Sequence, residues 1–108
     1  MAFLETDQIK EIAKCALKEV ADFSGDIDSF EFKQFQEYHK TVFLTKLKEL
    51  INKLPYYGVD SKVNPEKYYD VPLSKDTLNT WASVKDCINY VYENQTVKKR
   101  DPNKVQFL

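Results

Sequence analysis

Two serines follow an aspartate, and their settings differ. Ser29 lies in Gly25-Asp26-Ile27-Asp28-Ser29-Phe30-Glu31, ahead of an amphipathic run, whereas Ser61 lies in Gly58-Val59-Asp60-Ser61-Lys62, shortly before Pro65. A serine that opens a helix sits beside unpaired backbone N–H groups and the positive end of the helix dipole, a setting that favours negative charge. The residues after Ser29 fit that description. Those after Ser61 meet a proline before a useful helix is complete. No nucleophile and base are paired in a recognisable arrangement: the single histidine, His39, stands among Glu37, Tyr38 and Lys40 and reads as an ordinary helix residue. Cys15 and Cys87 are far apart in amphipathic segments, with no second Cys or His close by, so both are expected to be reduced packing residues. No phosphate loop or paired-carboxylate pattern is present, and no catalytic residue is expected.

The aromatic groups Phe30, Phe32, Phe35, Tyr56-Tyr57 and Tyr68-Tyr69 are expected in the core, with the capacity to line an apolar pocket between helices. Asp22-x-Ser24-Gly25-Asp26-Ile27-Asp28-x-x-Glu31 resembles an EF-hand calcium loop from its third ligand onward. Val20 stands at the first ligand position with no oxygen to offer, so no calcium site is expected.

A chain of 108 residues suits a single domain. Its charge is uneven: residues 1–31 carry eight acids and three lysines, which argues against a nucleic-acid partner despite Lys98-Lys99-Arg100 near the end. No apolar run is long enough to span a membrane. Met1 to Lys10 lack the pattern of a signal peptide, so a reducing, cytoplasmic location is expected.

Ile9, Ile12, Ala13, Ala16, Leu17 and Val20 recur at one-face spacing and predict a first helix from Asp7 to Ala21, broken by Asp22 to Asp26 with Gly25 suited to the C-cap. Phe32, Phe35, Tyr38, Val42, Phe43, Leu47, Leu50, Ile51 and Leu54 predict a long second helix over residues 30–54, ending before Pro55. From Pro55 to Tyr68 no helical period is present and Gly58, Asn64 and Pro65 predict a loop. Ser74 starts one or two turns of helix, and Ser83-Val84-Lys85-Asp86 is a capping box opening a last helix to Glu93, with Trp81, Val84, Ile88 and Val91 on one stripe. The expectation is an all-α bundle of three to four helices over residues 1–95, Trp81 at least partly buried, followed by a flexible tail at 96–108.

The 23 consecutive residues from Tyr69 to Val91 resemble the C-terminal end of an acyl carrier protein. Tyr69-Asp70-Val71-Pro72-Leu73-Ser74 matches that family's aromatic and alternating stretch, and Ser83-Val84-x-x-x-Ile88-x-Tyr90-Val91 matches its closing helix. The resemblance implies an acyl carrier protein-like fold with a long second helix and an inserted loop, and a serine carrying 4′-phosphopantetheine. Asp28-Ser29-Phe30-Glu31 matches the attachment motif at Ser29, with Ser61 the other candidate. The family separates that serine from the aromatic by about four helical turns, or about 14 residues, whereas Ser29 precedes Tyr69 by 40 residues. The function so implied is non-enzymatic presentation of a tethered acyl group to modifying enzymes, drawn in by the acidic residues around Ser29. The alternative is a helical protein-interaction domain with no prosthetic group.

Overall fold

The computed structural model describes residues 4–57 and 63–99. Ser61 and Arg100 to Leu108 lie outside them. The described residues form a mixed α/β fold, which overturns the all-α expectation: helices α1 (Thr6–Ala21), α2 (Glu37–Asn52), α3 (Lys75–Leu78) and α4 (Val84–Asn94) are joined by strands β1 (Pro55–Tyr57), β2 (Val63–Asp70) and β3 (Thr96–Lys99). No described helix is long and apolar enough to cross a membrane.

Helices α1 and α4 follow the sequence pattern to within a residue or two. In α1, Ile9, Ala13, Ala16 and Leu17 are buried, and the alanines let neighbouring helices approach closely. Its C-cap is Asp22, which adopts the left-handed conformation (φ 52°) expected instead of Gly25. The Phe23 N–H reaches back to Leu17 O at 3.3 Å. The Ser83–Asp86 capping box opens α4, whose Val84, Cys87, Ile88 and Val91 face inward. Ser74 caps α3 by accepting from the Thr77 N–H at 3.2 Å.

The second helix starts seven residues later than the periodicity implies. Phe30 and Phe32 are both buried, and a helix would point residues two apart to nearly opposite sides. The chain instead passes through 3-10 turns at Ile27–Ser29 and Phe32–Gln34, with extended backbone at Phe30, Glu31 and Phe35, so that all three phenylalanines turn inward. Helix α2 then begins behind Gln36, whose N–H donates to His39 Nδ1 at 3.2 Å, giving the histidine a capping role.

The described residues of the loop expected at 55–68 are strand, and the first four residues of the expected tail form β3. The sheet is antiparallel in the order β1-β2-β3, with Tyr69 opposite Val97 and Asp70 opposite Thr96. Absence of a helical period is as much a property of strand as of loop, and Tyr56, Val63, Tyr68, Tyr69, Thr96 and Val97 are residues that favour the pleated surface. Tyr69 is buried, with the Tyr56 ring 5.8 Å away. Asn52, at the end of α2, ties the sheet to the helices when its amide nitrogen faces Tyr69 O (3.1 Å) and Asp70 Oδ1 (3.3 Å). Gln95 closes the structure: its Oε1 accepts from Leu4 N at 2.8 Å and its Nε2 donates to Leu4 O at 2.9 Å.

One core links the three long helices, the phenylalanine segment and the sheet. Phe43, fully buried in α2, has the Phe32 and Phe35 rings each 5.5 Å away. Phe43→Ala is expected to cost about 3–5 kcal/mol in urea unfolding. A loss under about 1 kcal/mol would contradict this packing.

Candidate functional site

Ser29 is the last residue of the first 3-10 turn, eight residues ahead of α2, so it does not open the long helix. Its Oγ donates to Asp26 O at 2.6 Å, and Asp26 Oδ1 accepts from the Asp28 N–H at 3.0 Å. The surrounding acids are engaged as well. Lys10 pairs with Asp28 at 3.4 Å, Lys18 with Asp22 at 2.9 Å and Lys33 with Glu31 at 2.9 Å. The turn therefore presents less free negative charge than the residue count suggests. Val20 packs against the core, and among the described residues no three His, Cys, Asp or Glu side chains converge to hold a metal ion.

The aromatic segment does more than fill space. Phe30, Phe32 and Phe35 stand edge to face at 5.2–5.6 Å, Phe23 adds to Phe30 at 5.1 Å, and Phe32 reaches Trp81 at 5.6 Å. Backbone pairing runs alongside: the Phe32 N–H donates to Ala82 O at 3.0 Å, and Glu31 and Ser83 form an isolated antiparallel bridge. The phenylalanine segment is thereby held against the turn between α3 and α4.

Where these segments meet α2 they leave a cleft of about 450 Å³, partly open to solvent. Phe32, Leu78 and Trp81 supply its apolar lining, and Glu31, Lys33, Lys40, Asn79 and Ser83 its polar groups. Trp81 is buried, 7% exposed, as expected of it. Lys40 is fixed in place: its ammonium donates to Glu37 Oε1 at 3.2 Å and to Asn79 Oδ1 at 3.0 Å. Lys75 takes the other Glu37 oxygen at 3.0 Å. The hydrogen bond from Lys75, with those from Lys40 behind it, holds the Glu37 carboxyl below its ordinary value of 4.5. Lys40 and Asn79 carried no signal as isolated residues, because they are 39 positions apart and meet only through the fold. The closely spaced Phe30, Phe32 and Phe35 were the readable sign of an aromatic wall nearby.

The two cysteines differ in surroundings. Cys15 is exposed, whereas Cys87 is buried in the core and desolvation pushes its thiol up to about 12. Iodoacetamide at pH 8 is expected to add one group to the native protein, at Cys15, and two to the unfolded chain by intact mass. Rapid labelling of native Cys87 would contradict its burial. The lowered Glu37 carboxyl stabilises the folded state above the unfolded pKa, and that contribution is lost as the pH falls through the folded value. NMR titration is expected to place its midpoint below 4.5, and the small cost of Glu37→Gln, set by exposed ion pairs, is expected to shrink as the pH falls through that midpoint. Comparisons with protein-family models, curated proteins and solved structures each found no match.

Proposed function

We propose that this chain is a non-catalytic protein-binding module whose site is the cleft bounded by the phenylalanine segment, α2 and the turn between α3 and α4. The observation that carries this reading is the cleft's make-up: a floor where the edges of Phe32, Leu78 and Trp81, 2%, 1% and 7% exposed, reach the surface, with Glu31, Lys33 and Lys40 around it. Aromatic anchors set in such pockets dominate protein interfaces, and surrounding polar groups exclude water from them. Because the cleft is shallow and partly open, a guest is covered only in part, which suits a side chain projecting from a partner better than an enclosed small molecule.

Of the two roles the sequence allows, the acyl carrier role draws on a serine that does not open α2. Its phosphopantetheine attachment at Ser29 stands as a motif-based proposal without the helix N-terminus that made it physically attractive. The binding role draws on a built cleft, and it needs no prosthetic group.

Ala82 is exposed on the cleft wall, and only its backbone takes part in the contacts with Phe32 and Asp86. Ala82→Arg therefore fills the cleft without touching the core. Peptides selected from a random display library on the unmutated protein are expected to shift the amide resonances of residues 31–33, 40 and 78–83. Ala82→Arg is expected to weaken them by about tenfold or more, the loss of roughly one anchor contact, and Ser29→Ala to leave them unchanged. Selected peptides that bind elsewhere and ignore Ala82→Arg would refute the assignment.

A further inference from the structure

Resting on the cleft reading above, we infer that the cleft is selective for a partner segment that presents a carboxylate beside its apolar anchor, and that Lys40 is the residue that receives it. An ammonium has three N–H donors, and the two acceptors around Lys40, Glu37 Oε1 and Asn79 Oδ1, account for two of them. The remaining donor belongs to a side chain that lines the cleft, so the group that completes Lys40 from a guest must be an acceptor. A carboxylate is the strongest available, because the bond is then charge-assisted at both ends.

Lys40 is suited to this in a way that its neighbour Lys33 is not. Both lysines have a carboxylate partner, but the Lys40 side chain is 19% exposed and spans from α2 to Asn79 after α3, whereas that of Lys33 is 82% exposed. A side chain that is largely covered and held at two acceptors has little rotamer freedom left to lose when an anion arrives. An exposed one must still lose that freedom, and its attraction to an anion is weakened by solvent. A cationic guest finds no partner in Lys40, whose ammonium offers only N–H donors.

Three probes of the same size separate the contributions: 3-phenylpropionate, its neutral amide 3-phenylpropanamide, and 3-phenylpropylammonium, each titrated into the full ¹⁵N-labelled chain. The carboxylate is expected to shift the Trp81 indole N–H and the amides of residues 31–33 and 78–83, and to bind about threefold or more tightly than the amide, a difference in the range of a partly exposed ion pair. The ammonium probe is expected to be weakest. Lys40→Met keeps the stem and removes the charge, and is expected to bring carboxylate and amide to equal affinity, while Lys40→Arg retains the preference. Should Lys40→Met fail to fold, raising salt from about 20 to about 500 mM on the unmutated protein is expected to erase the preference and leave amide binding in place. Equal affinities in the unmutated protein at low salt, or a preference that survives Lys40→Met or high salt, would overturn the carboxylate inference while the cleft itself stands. If no probe moves any cleft resonance, the cleft reading fails and the carboxylate inference fails with it.

Discussion

The burial of Phe30, Phe32 and Phe35 within six residues of sequence is the constraint around which the rest of the structure is arranged. Each ring removed from water contributes on the order of 1.5–3 kcal/mol, and edge-to-face contacts at 5.2–5.6 Å add to that. A helix cannot bury all three on one side, so the backbone gives up helical hydrogen bonds over residues 27–36 and recovers part of them in two 3-10 turns and in the pairing of Phe32 and Glu31 with Ala82 and Ser83. Helix α2 is shortened as a result. The α3–α4 turn is drawn onto the phenylalanine segment, and the cleft is the space left where the two lie against α2.

The other end of the molecule is settled by polar groups that stand in for backbone. Gln95 pairs with Leu4 as one peptide unit pairs with another, and Tyr90 OH donates to Pro72 O at 2.6 Å, fastening α4 to the segment after β2. Asp70 is buried beside these contacts and is answered by Lys98 from β3 at 2.8 Å and by the Asn52 amide from α2. The strand that brings Lys98 to Asp70 thus supplies the charge partner of a buried acid as well as sheet hydrogen bonds. That is a physical reason for residues 96–99 to be ordered although their composition is that of a polar tail.

Legibility from sequence followed the range of the interactions. Helices α1 and α4 were readable because one turn of helix decides where Ile9, Ala13 and Leu17, or Val84, Ile88 and Val91, must point, and Ser83 marks the start of α4 as Ser74 marks that of α3. The strands were not, because α3 and α4 lie in sequence between Tyr69 and its partner Val97, and Asn64 and Pro65 punctuate β2 with residues more usual in turns. Phe32 was recognised as buried but assigned to a helix, since a spacing of three to Phe35 fits a helical face until Phe30 is required to join it. The likeness of residues 69–91 to an acyl carrier protein has the same origin. An alternating stretch, a short capped helix and an amphipathic helix are local patterns, and they occur here beside a sheet that they do not themselves specify.

The contacts around the cleft illustrate how weak interactions can still determine a site. Glu37 and Lys75 are well exposed, so their ion pair contributes little to stability. Its consequence is positional: by occupying one Glu37 oxygen, Lys75 leaves the other for Lys40, and Lys40 is then directed toward Asn79. Three elements, α2, α3 and the turn after it, are needed to place one ammonium beside Phe32 and Trp81. The aromatic packing decides that a cleft exists, and these surface contacts decide which charge lies within it. On the proposed binding role, stability and selectivity therefore rest on different residues: the aromatic core shapes the cleft, and the polar residues at its rim set its charge.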